Sequence, residues 1–148
     1  MHRNIQRLLA IVLIVLGSLT VGVAPASAQE EFVTFHVTLD QATVDPRTGL
    51  VTLSGTITCS VEAEINVVGE LHRDIGSDDV FGYSSSLNFV YCPGPGGTTF
   101  TLTVAAEQGR FVPGPATLVL YVDAFPLDPN IGYSFDRIDA ALRLVPAP

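Results

Sequence analysis

No lysine occurs in this 148-residue chain, so all seven basic side chains are arginines, and they stand against 15 aspartates and glutamates. That imbalance repels phosphate backbones and anionic lipid headgroups, which argues against a nucleic-acid partner. It also removes the S-x-x-K hydrolases, whose chemistry needs the missing amine. Tryptophan is absent too, and with it the side chain on which carbohydrate-binding sandwiches rely most. The one methionine is Met1. A blue-copper site, with two histidines, a free cysteine and usually a methionine, is therefore not expected. With two cysteines in all, zinc would have to be held by His36, His72 and carboxylates, a poor set for a structural site. No run has the 3.6-residue period of a long helix, and no 20–50-residue repeat occurs.

What is present begins at the N-terminus. Arg3 and Arg7 precede an apolar run from Leu8 to Leu16, and small residues lead to Ala26-Ser27-Ala28. A basic stretch, a short apolar core and an A-x-A site describe a secretory signal peptide, removed after Ala28. The run is broken by Gly17, Ser18, Thr20 and Gly22, too short for a spanning helix of roughly 20 residues. Residues 1–28 are thus expected to be a leader and 29–148 a single exported domain. Once the leader is removed, no stable membrane insertion is expected. All 15 acidic residues and five of the arginines fall in that domain, for a formal charge of −10.

Cys59 and Cys92 both lie in the exported part. In an oxidising compartment such a pair is most simply a structural disulfide. Closing a loop between positions 33 apart is worth roughly 3–4 kcal/mol in the chain-entropy model.

Period-two alternation dominates the rest of the chain. Val33, Phe35, Val37 and Leu39 predict a first strand, and Asp45-Pro46-Arg47-Thr48-Gly49 a turn. Val51, Leu53, Gly55, Ile57 and Cys59 share one face of a second strand. The odd-numbered apolar phase continues through Ala63, Ile65, Val67 and Leu71, too far for one strand, so a break is expected between Ser60 and Glu64. On that third strand Glu62, Glu64, Asn66, Glu70 and His72 form the polar face. Arg73 to Asp79 reads as a loop, and a fourth strand falls within Phe81 to Cys92. Further strands carry Phe100 to Ala106, Leu118 to Val122 and Ile138 to Leu144. Pro93-Gly94-Pro95-Gly96-Gly97, Gly109 to Pro115, and Pro126 to Asn130 supply the turns. About seven short strands in some 120 residues describe an all-β, immunoglobulin-like antiparallel β-sandwich, with a closed barrel as the competing architecture.

The string from Val44-Asp45-Pro46 through Gly49-Leu50-Val51-Thr52-Leu53-Ser54-Gly55-Thr56-Ile57-Thr58-Cys59-Ser60 resembles the opening of a family of secreted actinobacterial two-cysteine domains. Cys92-Pro93-Gly94, Phe100 to Val104, and Phe111-Val112-Pro113-Gly114-Pro115-Ala116 match its later elements. The resemblance covers roughly residues 44 to 122 and implies export and an immunoglobulin-like sandwich. It brings no catalytic residues.

Nothing in the chain forms a catalytic motif. There is no G-x-S-x-G elbow, and Ser84-Ser85-Ser86 is a bare hydroxyl cluster. Glu62 and Glu64 share a strand face, but a flat face encloses no sugar. Asp123, Asp128, Asn130, Asp136 and Asp139, with Asp78 and Asp79 elsewhere, are the best calcium candidates. Their spacing matches no calcium loop, and no metal or cofactor is expected. Tyr83, Tyr91, Tyr121, Phe125 and Tyr133 could present aromatic platforms. Loops 73–79 and 123–133 are the expected interaction surface, with Tyr121, Asp123, Phe125, Asp128, Asn130 and Tyr133 as the candidate binding residues. The resulting expectation is a secreted, non-enzymatic binding or structural module, in the medium or at the cell envelope. Its partner would be an extracellular protein, a glycan or a small molecule. Two rivals remain: a small-molecule carrier resembling the secreted chromoprotein apoproteins, and a hydrolase. The carrier would need a deep apolar cleft, and the hydrolase His36 or His72 hydrogen-bonded to a serine or carboxylate inside a concave pocket.

Overall fold

The computed structural model describes residues 31–148 except 77 and 85–87; the expected leader lies outside the described residues. Eight strands follow in chain order: β1 (Phe35–Val44), β2 (Val51–Cys59), β3 (Glu62–Ile75), β4 (Asp78–Ser84), β5 (Asn88–Pro93), β6 (Thr98–Ala106), β7 (Gly114–Pro126) and β8 (Ser134–Pro146).

The sandwich expectation needs correction. The strands are ordered β4-β6-β2-β1-β8-β7-β3-β5, and β4 also pairs with β3. Seven strands therefore close into a barrel, with β5 as an eighth strand beside β3. Closure depends on β4, which pairs Gly82 to Ala106 on β6 and Leu71 to Gly82 on β3. Glycine is required there, since a Cβ on Gly82 would lie 2.0 Å from the Ala105 carbonyl oxygen. At the opposite seam β1 and β8 run parallel through the short register Thr43↔Val145 and Val44↔Pro146.

Two strand boundaries differ from expectation for one reason. The segment 73–79 is not a loop: Arg73↔Val80 and Ile75↔Asp78 are paired, leaving only Gly76 (φ +66°) and position 77 between the strands. β5 pairs with β3 from Glu62 to Val67 and β4 pairs with it from Glu70 to Ile75. Their registers differ by two residues, Glu70↔Tyr83 in β4 against Val67↔Asn88 in β5. A single expected strand over 81–92 is thus divided in two. The unmarked break after Cys59 is present, with β2 ending at Cys59 and β3 starting at Glu62.

The alternation read from the sequence is what fills the barrel. Val51, Leu53, Ile57 and Cys59 of β2, Ala63, Ile65, Val67 and Leu71 of β3, and Leu118, Leu120, Val122 and Ala124 of β7 are all buried in one cluster. Phe111, from the β6–β7 connection, is fully buried among them. The interior is a packed core, as in small barrels generally. Cys59 and Cys92 form a disulfide with Cα atoms 6.3 Å apart. It ties the end of β2 to β5, whose one ladder partner among the described residues is β3.

Candidate functional site

With one side of β3 and β7 committed to the core, strand geometry sends their alternate residues outward. Register then decides which outward residues meet. Tyr91 and Phe125 both pair with Glu64, one from each side of β3. One step along, Phe89 and Asp123 flank Asn66 in the same way, and Asp123 pairs with Phe135. The next rows place Val68 beside Tyr121 and Glu70 beside Val119, with Arg137 and Asp139 across on β8. The outer face of β5-β3-β7-β8 is therefore a polar middle flanked by aromatic rings. Four strands about 4.8 Å apart make it roughly 14 Å wide.

These rings are open to solvent. Phe89 and Tyr133 are 61% exposed, Phe135 55%, Tyr91 52% and Phe125 43%. Single exposed apolar residues are ordinary, but five aromatics on one sheet face are a patch of the kind that marks interaction sites. Phe125 stacks with Tyr133 at 6.1 Å between ring centroids, and Tyr121 with Phe135 at 6.5 Å. Parallel neighbours of this kind hold one another in place.

The polar middle is rich in acceptors. Asn66 is only 8% exposed; its Nδ2 donates to Asp123 Oδ2 at 3.3 Å, while its Oδ1 has no hydrogen-bond partner. A buried acceptor without a donor is costly, and such groups call for an explanation. The Glu70 carboxylate accepts from His72 Nε2 at 2.6 Å and from the Tyr121 hydroxyl at 3.3 Å, which fixes Tyr121 beside the centre. The Tyr91 phenol is pushed above its usual range by desolvation and then by the Glu62 carboxylate, to which it is hydrogen-bonded. Arg137 on β8 donates to Asp139 at 3.0 Å, and that bond holds the guanidinium still more firmly protonated.

The structure divides the six candidate binding residues. Tyr121, Asp123, Phe125 and Tyr133 meet on this face. Asp128 and Asn130 instead build the β7–β8 connection: the Asp128 carboxylate accepts from the Asn130 backbone N–H at 2.9 Å and from its Nδ2 at 2.8 Å. The backbone bond is the main cause of an Asp128 pKa below the usual carboxylate range. A lowered folded-state value means that this turn's support is present at neutral pH and is lost as pH falls through that value. An NMR titration is expected to show the Asn130 amide shifting with the Asp128 carboxyl, below the midpoint of an ordinary aspartate. In Asp128→Ala that shift disappears; an unchanged amide titration would refute the assignment.

Sequence reasoning missed Asn66, Phe89 and Phe135 as members of one surface. The signal was the outward phase of each strand, which links these residues only when the order β5-β3-β7-β8 is known.

The remaining candidates lie apart. Among the described residues, no three histidine, cysteine, aspartate or glutamate side chains converge as a metal-binding group. His72 does meet a carboxylate, Glu70, and lines an open groove of about 270 Å³ with Asp74 and Thr117. Its second nitrogen faces Asp79 at 3.8 Å, and the ring stacks on Phe81 at 6.0 Å between centroids. His36 lines another open groove, of about 400 Å³, with Thr34, Thr58 and Ser60.

No family model matches this chain, and no curated protein matches it. Among solved structures it is similar to a β-glucosidase from Listeria innocua in complex with glucose, at a TM-score of 0.42 and 12% identity. That match covers 76% of this chain and 16% of the other, so the chain spans under a fifth of the enzyme's length.

Proposed function

We propose that this protein is an exported, non-enzymatic binding module whose ligand surface is the outer face of β5-β3-β7-β8. The observation that supports it is the set of five solvent-exposed aromatic rings around the buried, half-satisfied Asn66. A barrel wall made of paired strands is a rigid base for such rings, and rigid presentation lowers the entropic cost of binding. The carrier reading has less support, because the barrel interior is filled by the core cluster. The hydrolase reading has a histidine–carboxylate pair in His72 and Glu70, but among the described residues no serine, threonine or cysteine is hydrogen-bonded to that histidine. The disulfide fits an oxidising compartment, and the acidic surface suits a soluble extracellular protein.

The test has two parts. Expression with the native leader in a bacterial host should yield an exported protein whose first residue is Gln29. The melting temperature is then followed with an arginine-containing peptide, an N-acetylglucosamine hexasaccharide and calcium chloride. At least one of these should raise it by roughly 3 °C or more, the mass-action effect expected for a ligand well above its Kd. The rise should vanish in Phe89→Ser/Phe125→Ser/Phe135→Ser. An equal rise in that triple variant would place the ligand elsewhere and overturn the proposal.

A further inference from the structure

We infer that the occupant of this face is an extended segment of another protein that carries arginine side chains at alternate positions. This deepens the reading of the face as a ligand surface and rests on it.

The hydrogen-bonding groups of the face call for a donor. Glu62, Glu64, Glu70, Asp123 and Asp139 are outward on these strands and can only accept. Asn66 adds an unpartnered acceptor, Oδ1. The donors nearby are few and partly engaged: Asn66 Nδ2 bonds Asp123, Arg137 Nη2 bonds Asp139, and the Tyr121 hydroxyl bonds Glu70. A surface short of donors suits a group that only donates, and guanidinium is such a group. A neutral glycan brings acceptors as well as donors, and its acceptors would find few partners here.

Charge and shape favour the same occupant. Outward on these strands, Glu62, Glu64, Glu70, Asp74, Asp123 and Asp139 outnumber Arg137 and Arg143 and make the face negative, so a second copy of this chain would meet like charge with like charge. Exposed tyrosine and phenylalanine faces attract a guanidinium through the ring quadrupole, and arginine exploits this more often than lysine does. The spacing also matches. Along β3 the acceptors Glu64, Asn66 and Glu70 lie at two- and four-residue steps, about 6.7 and 13 Å apart. Alternate side chains of an extended peptide have that same repeat.

The experiment uses the oxidised protein and a fluorescein-labelled decapeptide of alternating arginine and serine, read by fluorescence anisotropy. Binding in the micromolar range is expected. Raising the salt from about 0.05 to 0.5 M should weaken it roughly tenfold or more, as the Debye length contracts. Glu64→Gln and Asp123→Asn should each weaken it several-fold, and Phe125→Ala/Tyr133→Ala at least about tenfold, with melting temperatures close to that of the parent. A matched peptide with neutral citrulline in place of arginine should bind at least about tenfold more weakly. Equal binding of the citrulline peptide, or no binding of the arginine peptide at about 1 mM, overturns the inference. If the N-acetylglucosamine hexasaccharide binds instead and the aromatic variant abolishes that binding, the peptide proposal fails while the face stands as a ligand surface. Arginine-peptide binding that survives loss of both rings is general attraction to an acidic protein, and it defeats both readings.

Discussion

Replacing Cys59 and Cys92 together by alanine is expected to lower the melting temperature by about 12–16 °C. The link spans 33 positions, and releasing a loop of that size from the unfolded ensemble is worth roughly 3–4 kcal/mol. For a domain of about 120 residues each kcal/mol corresponds to roughly 4 °C. The loss should be uneven across the fold. β5 is six residues long and, among the described residues, pairs with β3 alone, so the disulfide is its covalent tie to β2. Without it, hydrogen exchange at Val90 and Tyr91 should accelerate well before exchange at Leu120 and Val122 in β7. Because Phe89 and Tyr91 belong to β5, peptide affinity should fall along with stability. A shift below about 4 °C, or uniform exchange across the barrel, would show that β5 is held by packing alone.

Alternation is a local signal, and everything that depends only on it was readable in advance. β2 buries Val51, Leu53, Ile57 and Cys59 as its phase requires, and the covalent partner of Cys59 followed from there being one other cysteine in the chain. Barrel closure was not readable. It turns on β4 pairing with two strands at once, and nothing in the sequence from Asp78 to Ser84 says that Gly82 will meet both Leu71 and Ala106. The face was half legible for the same reason. Tyr121, Asp123, Phe125 and Tyr133 are near one another in sequence and were grouped with their neighbours Asp128 and Asn130. Those two hydrogen-bond each other in the β7–β8 connection, a pairing that residue type alone does not fix. Phe89 joins from a distant strand, through a register that only the folded sheet defines.

Phe111→Ala is expected to cost about 3–5 kcal/mol, the range for deleting a fully buried aromatic side chain, or roughly 12–20 °C in melting temperature. The size of that effect is unusual for a residue outside every strand. Phe111 lies in the connection between β6 and β7, yet it is completely buried and ranks among the largest side chains in the core. Its neighbours explain how a connection can deliver a core residue. Arg110 donates a short hydrogen bond from its guanidinium to the Pro46 carbonyl in the β1–β2 turn. Arg73 on β3 reaches the carbonyls of Pro113, at 2.8 Å, and Pro115. The connection is thus held from both sides while the ring is buried, and Gly49 lets its backbone approach: a Cβ there would lie 2.8 Å from the Arg110 Cβ and 3.2 Å from the Phe111 backbone. Phe111→Leu keeps most of the apolar volume and should cost well under half as much as the alanine variant. Equal losses for leucine and alanine would mean that the aromatic shape matters and not the filled volume. A loss below about 1 kcal/mol for alanine would remove Phe111 from the core altogether. Since the ring lies on the far side of the barrel wall from the aromatic face, residual folded protein should keep its peptide affinity, which separates a loss of stability from a loss of binding.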